Sequence, residues 1–564
     1  MADSAGKLAF IEFEAEADQQ ISKLILWDGY ARSIITFLFH SADVDFSGGR
    51  FGRYRLRDIE RGSMLLSRMS YLVPYFRQTR KVIGAGVIDA LNALSKREIE
   101  QIRDTLIYAH FCELAPQVRN GYLRCEQTQY GDFVLDHPSA EVAKHEVMDV
   151  VASELAMAFI GERPPLNVKA LQRMAKLWPH LRSDDVIGVL HDAHAFFLRA
   201  VVENPFIAEE DYAATMGFSR ASFHSVRAAM MSLAHWCSGM ATASEAIYLN
   251  KAKKRKRNAE HWATECLEWS APLLDKGFVV AILKAISKVS DEEFDRIFQF
   301  FVEDLNSKGS PLSGDGYLAP IIAFPKSYLI SPRALHLMTT ERNLLYVLNR
   351  TERKTFDDVV SHQLEPELLV SAANMFRQLP DVLVATNVQW AEGEIDLLVF
   401  SPQTNSALQV QAKAGIPPQG ARMTRQVESN TLKAVAQLNR FDAIPPAERD
   451  RILSQAFGIG AKGVAWAGAV LVRSSFGTSK AWSELAGRAP FNPPLLKLLV
   501  NEHQGQNVDL TTFPTRAWQS LETISEALFE RWDNDEIILF GKTIVIPLMR
   551  LNNSEVFRIR ATLA

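Results

Sequence analysis

Along most of this chain apolar residues recur at spacings of three and four, but between 382 and 413 they alternate with polar ones. Ile395, Leu397 and Val399 take turns with Asp396 and Leu398, and Asp396 is the one position in that run that no apolar layer explains. The turn formers of SPQTN at 401–405 follow. In the next run Leu408, Val410 and Ala412 share one face, and Gln409, Gln411 and Lys413 share the other. The pattern predicts a hairpin whose antiparallel pairing sets Asp396 beside Gln411 and Lys413. VLVATNVQW at 382–390 predicts a strand before it, with Val382, Val384 and Val388 toward the core. GVAWAGAVLVRSSF at 463–476 predicts a buried strand after it, and EIILFGKTIVIPLMRL at 536–551 a closing hairpin around Gly541.

From 12 to 305 the helical period dominates, as in EIEQIRDTLIYAHFCEL at 98–114 and DEEFDRIFQFFVEDL at 291–305, with Ser95 and Ser290 placed to cap them. Further helices are expected at 339–349, 356–379, 421–441 and within 478–532. The helix at 421–441 sets Val427, Leu432, Val435, Leu438 and Phe441 against Arg422, Arg425, Gln426 and Lys433. Loops at 41–54, 161–167 and 306–316 punctuate the chain. The last is the expected boundary between a large, mostly α-helical region at 1–310 and an α/β domain at 317–564 whose core spans 356–480. The helical region is assigned to binding, sensing or oligomerisation.

Composition narrows the class. A hydrophobic content of 47% with 23% charged residues is that of an ordinary soluble protein, and a net charge of −4 confines any nucleic-acid binding to local patches. Cys112, Cys125, Cys237 and Cys266 form no CxxC pair, which excludes a zinc ribbon and a disulfide framework and fits a reducing, cytoplasmic setting. The N-terminus lacks the basic start and apolar core of a secretory signal, and LILWDGYARSIITFLF is interrupted by Asp28 and Arg32, so no membrane is expected.

The hairpin carries the chemistry. A carboxylate at Asp396 and a neutral carbonyl oxygen at Gln411 suit a hard cation such as Mg2+ (or Mn2+), while the Lys413 ammonium can orient an attacking water and offset charge growing on phosphoryl oxygens. Asp396, fourteen further residues and then Gln411-Ala412-Lys413 resemble the PD-(D/E)XK nuclease superfamily in the branch where glutamine replaces the second acid. VQAK is similar to the corresponding strand of Mrr-type restriction endonucleases. The resemblance implies a restriction-endonuclease-like mixed sheet flanked by helices, and a magnesium-dependent endonuclease that hydrolyses phosphodiester bonds. It further implies DNA rather than RNA as the nucleic-acid partner, and a place in restriction or antiviral defence. It also implies a glutamate on a helix ahead of the first strand, for which LEPELLVSAANMFRQL at 364–379 offers Glu365 and Glu367. Glu367, followed at once by Leu368, Leu369 and Val370, is preferred as a third metal ligand beside Asp396 and Gln411. Glu365 precedes Pro366 and falls at the expected helix start. In the superfamily the helix after the QxK strand packs beside the site, which makes Arg425 and Lys433 phosphate-contact candidates. The competing expectation is an inactive nuclease fold that serves as a DNA-binding or protein-binding module.

Three features of the helical region add to this. EEDYAATMGFSRASFHSVRAAM at 209–230 resembles a helix-turn-helix, with Gly217 at the turn and Ser219, Arg220, Ser222, His224 and Ser225 on or near the recognition helix. KAKKRKR at 251–257 is the one dense basic run, and Lys253, Lys254 and Arg255 within it are candidates for phosphate contact. HDAH at 191–194 spaces two histidines for one helix face, but no second ligand pair follows, so it is read as packing, as are His235, Trp236 and Cys237. A protein partner, an activating ligand or a homo-oligomer would also engage this region.

Overall fold

The computed structural model describes residues 2–46, 65–72, 75, 86–156, 164, 167–200, 205–305, 307, 311–418, 421–552, 554–556, 558 and 559. Most of the loops expected at 41–54 and 161–167 therefore lies outside the described residues. Most amphipathic segments of the first half fold as helices around an apolar core that runs from Phe10 to Leu364 and also takes in Ile416, Ile537, Leu539, Ile544 and Ile546. Their caps form as the sequence predicts. Ser95 accepts the Glu98 N–H at 3.2 Å while the Glu98 carboxylate takes the Ser95 N–H at 2.7 Å, and Ser290 accepts the Glu293 N–H at 3.3 Å.

Three helices of this half matter below: α1 (Ala140–Ala156), α2 (Glu209–Met216) and α3 (Arg220–Lys253). Gly217 turns the chain between α2 and α3 at φ 78°, a left-handed conformation that a Cβ disfavours, and Ser219 then caps α3 by accepting the Ser222 N–H at 3.0 Å. The turn is as expected; an exposed recognition helix is not. Helix α3 is 34 residues long and carries Phe223, Val226, Met230, Leu233, Trp236 and Met240 through the core. Arg220 pairs with Glu209 at 2.9 Å and lies over the Tyr212 ring, and Ser225 donates to the Ser287 carbonyl at 2.7 Å. Internal contacts thus occupy the side chains expected to read bases. His194 bonds the Ser225 carbonyl at 3.1 Å, and His235, Trp236 and Cys237 are buried, as their packing role predicts.

The second half supplies α4 (Ser361–Phe376), reached through a π-helical turn at Phe356–Val360, then β1 (Leu383–Trp390), β2 (Gly393–Ser401) and β3 (Ser406–Lys413). Helices α5 (Ala421–Asp442) and α6 (Pro446–Phe457) lead to β4 (Ala465–Val472) and β5 (Ala489–Phe491). The sheet order is β5-β4-β3-β2-β1, antiparallel from β1 to β3 and parallel from β3 to β5. Alternation decides the layers. Leu408, Val410 and Ala412 of β3, with Ala469 and Leu471 of β4, face α4 residues Leu368, Leu369, Ala372 and Phe376. Val470 and Val472 point the other way, onto Ala434, Val435 and Leu438 of α5 and onto Val147, Met148 and Val151 of α1. The result is a mixed sheet between helical layers, one of which α1 of the N-terminal half shares with α5.

The two halves interleave. The loop at 306–316 joins Val302–Asp304 to Ile321–Ala323, parallel neighbours in a sheet completed by Leu273–Asp275 and Ser327–Ile330. The C-terminal hairpin, Phe529–Leu539 with Lys542–Leu551, turns through Phe540 and Gly541 at φ 48° and 80°. It then pairs Ile544 with Phe133 of the N-terminal half. Among the described residues no helix is long and apolar enough to cross a membrane.

Candidate active site

The β2–β3 ladder runs from Ser401 opposite Ser406 to Leu397 opposite Val410, and there the backbone pairing stops. Side chains take over. The Asp396 carboxylate accepts the Ala412 N–H at 2.7 Å, and the Gln411 amide donates to the Glu394 carbonyl at 2.8 Å. The break also shifts the alternation of β2. Leu397 and Val399 stay on the α4 face, whereas Ile395 joins Leu398 and Phe400 on the opposite one, so the simple alternation read from 395 to 399 fails at Asp396.

Three predicted residues converge at this break. Lys413 ends β3 with its Nζ donating to the Ala412 carbonyl at 2.6 Å and standing 3.6 Å from Asp396. Gln411 is 2% exposed, and among the described residues its Oε1 is buried with no hydrogen-bond partner. The Gln409 Oε1, two residues earlier on the same strand, is unpartnered likewise, and such an acceptor can take a bond from water or a ligand. Gln411 sits on the strand face that carries Lys413.

The fourth member is Glu365, not Glu367. Helix α4 starts at Ser361, so Pro366 is interior and Glu365 lies within the helix rather than at the start expected for it. Two residues on a helix are about 200° apart, so only one of the two glutamates can face β3. Glu365 lies 3.8 Å from the Lys413 Nζ and takes a hydrogen bond from the Ala414 N–H. Glu367 faces Arg220 and Arg473 instead, at the junction with the helical half.

Burial raises the pKa of both Asp396 and Glu365 above the ordinary carboxylate value. The Lys413 charge pulls each back down, each accepts a backbone N–H that lowers it further, and the Glu394 charge pushes both up. Two partly desolvated carboxylates around one ammonium, with an orphan carbonyl oxygen two residues before it on β3, form a site that favours cations. Its side chains are 9% (Asp396), 19% (Lys413) and 38% (Glu365) exposed, so solvent reaches it from the α4 side.

The chain matches no known family model, no curated protein and no solved structure.

The donor set fits a hard divalent cation. Asp396, Glu365 and the Gln411 Oε1 offer oxygen only, and Mg2+ keeps several of its waters when few protein ligands bind it. Among the described residues no three His, Cys, Asp or Glu side chains meet closely enough to hold a metal by themselves, so the glutamine is needed to complete this set.

Among the described residues, none of the remaining predicted contacts pairs with Asp396 or Glu365. Arg425 and Lys433 are exposed on α5, Arg425 beside Tyr122, whose hydroxyl donates to Glu428 at 2.8 Å. Lys253, Lys254 and Arg255 lie at the far end of α3. One residue that the alternation did not single out is Arg473, directly after β4. Its guanidinium is buried and donates to the carbonyls of Pro205 (2.8 Å), Phe206 (3.0 Å) and Leu364 (2.7 Å). Burial lowers its pKa to about 10. Arg473 thereby fixes the turn of α4 that presents Glu365 against both the sheet and the helical half. Its sequence signal is an arginine placed at the end of a wholly apolar strand.

Proposed function

We propose that this chain is a metal-dependent nuclease that hydrolyses phosphodiester bonds in DNA, with Glu365, Asp396, Gln411 and Lys413 as its catalytic set. The observation that carries the reading is the meeting of two carboxylates and one ammonium where β2 and β3 part, with an unpartnered buried amide oxygen two residues before the ammonium. The resemblance of the Asp396 to Lys413 stretch to PD-(D/E)XK nucleases supports it, and the element order helix, three antiparallel strands, helix and parallel strand suits a restriction-endonuclease-like domain.

Asp396 and Glu365 would hold the cation by charge, and Gln411 by its carbonyl oxygen. When bound, Mg2+ or Mn2+ supplies Lewis acidity toward a phosphoryl oxygen and acidifies its own water. Lys413, held by the Ala412 carbonyl, orients the water that attacks phosphorus and offsets the charge that grows on the phosphoryl oxygens. The attacking water gives its proton to bulk water as the new P–O bond forms, and the leaving sugar oxygen takes one from water on the solvent-open side of the site as the old bond breaks.

Supercoiled plasmid incubated with the protein and Mg2+ should be nicked or linearised, and EDTA should stop it. Asp396→Asn and Lys413→Ala should each lower the rate by about a hundredfold or more with the far-UV spectrum unchanged. Equal cleavage by both variants would remove the assignment. A stable protein that never cleaves would favour the second reading, a non-catalytic binding module in which Lys413 simply neutralises the two carboxylates.

A further inference from the structure

The basic run at the end of α3 is built in a way that helix stability alone does not explain. Lys253, Lys254, Arg255, Lys256 and Arg257 are all exposed, and among the described residues none of the five has an ion-pair partner. The helix closes with the Arg255 N–H on the Ala252 carbonyl at 2.9 Å and the Lys256 N–H on the Lys251 carbonyl at 2.9 Å. That pair of bonds is a Schellman closure, and it puts Arg255 at the left-handed position, φ 48°, where glycine is strongly favoured. An arginine there sacrifices local stability for a charge, and the cations on either side have no carboxylate to answer them. In a chain of net charge −4 this is a concentrated positive surface awaiting a polyanion.

Its distance from the candidate active site identifies the kind of polyanion. The other end of α3 is anchored to α4, the helix that carries Glu365: Thr215 of α2, just before the Gly217 turn, donates to Gln363 at 2.8 Å. Between the two ends lie the 34 residues of α3, about 50 Å at 1.5 Å per residue. A side chain at the run therefore cannot contact a phosphate undergoing cleavage. A stiff duplex can reach both, since at 3.4 Å per base pair 50 Å is about 15 base pairs. The run carries no apolar side chain larger than Ala252, so it lacks what a bilayer-inserting segment would need.

We infer that Lys253, Lys254, Arg255, Lys256 and Arg257 form a phosphate-binding anchor for double-stranded nucleic acid, set one long helix away from the cleavage site. The inference deepens the nuclease reading and rests on it for the role of the far end. The anchor makes the protein prefer substrates longer than about 15 base pairs.

The test compares the wild-type chain with a variant that combines Lys253→Gln, Lys254→Gln, Arg255→Gly, Lys256→Gln and Arg257→Gln. Binding of a fluorescent 30-base-pair DNA duplex is read in EDTA, where no cleavage intervenes, across a salt series. The variant should bind about tenfold or more weakly, and the slope of log K against log salt should shrink by about 4. Its melting temperature should stay level or rise, because glycine relieves the left-handed position. With Mg2+, cleavage of a 10-base-pair duplex should be equal for the two proteins while subsaturating 30-base-pair duplex is cut more slowly by the variant. If the nuclease reading alone is wrong, neither duplex is cut but the binding difference remains. Unchanged affinity and salt slope for the duplex would overturn the anchor. So would a loss confined to phosphatidylserine vesicles, or a lower melting temperature, which would assign the cations to the helix end itself.

Discussion

The Lys413 ammonium stands 3.8 Å from the Glu365 carboxylate, a contact that ties the last residue of β3 to the helix that precedes the sheet. It chooses between two glutamates that the sequence leaves side by side. Glu365→Gln should lower plasmid cleavage by about a hundredfold, whereas Glu367→Gln, which faces Arg220 and Arg473, should keep the rate within about threefold. Initial rates on supercoiled plasmid decide it, and the opposite ranking would restore Glu367.

Gln411 should set metal affinity through its unpartnered Oε1. Gln411→Leu removes that oxygen and should weaken Mn2+ binding about tenfold or more, while Gln411→Glu adds a charge and should tighten it. Calorimetric titration of the protein with Mn2+ measures both directions, and two unchanged affinities would exclude the amide as a ligand.

Arg473 should act on stability rather than on chemistry. Arg473→Met withdraws a buried guanidinium from three carbonyls and should cost about 3 kcal/mol or more. Amide exchange should quicken around 205–206 and 361–365 in the same variant. A melting temperature equal to wild type would show that the junction holds without it.

Asp149 on α1 should make stability depend on pH. It is partly buried and accepts from Ser475 Oγ (2.7 Å), the Phe476 N–H (2.8 Å), the Gly477 N–H (3.1 Å) and the Trp482 indole (3.1 Å). Burial nonetheless lifts its pKa from 3.8 to about 6. A raised folded pKa means that the folded state holds the proton more tightly. The contribution is therefore fully present below the unfolded value and is lost as pH rises through the folded one. Against Asp149→Asn, which does not titrate, the wild-type unfolding free energy should fall by about 2 kcal/mol between pH 4 and pH 7. Urea unfolding at the two pH values tests the sign, and a rise would contradict it.

The hairpin and its three chemical residues were legible because a two-residue period fixes faces, and Gln411 and Lys413 had to share one. The same period failed at Asp396, where the strands part and Ile395 changes sides, since alternation assumes an unbroken ladder. Glu365 was hidden by Pro366. Proline in the first turn of a helix is the common case, and that preference set Glu365 at a helix start although the helical segment expected at 356–379 already runs through it. Gly217 and Ser219 marked the turn into α3, but whether the next helix faces solvent depends on what packs around its 34 residues. The loop at 306–316 has the composition of a linker, yet it joins neighbouring strands of one sheet. Pairing partners as distant as Ile544 and Phe133 leave no local trace.

The central claim is that Glu365, Asp396 and Gln411 hold one divalent cation beside Lys413. Its most direct test is an anomalous difference map from crystals of the protein soaked in Mn2+. The account predicts a single strong peak bounded by the Asp396 carboxylate, the Glu365 carboxylate and the Gln411 Oε1. A map with no peak there, or with Mn2+ held by other residues, would contradict it.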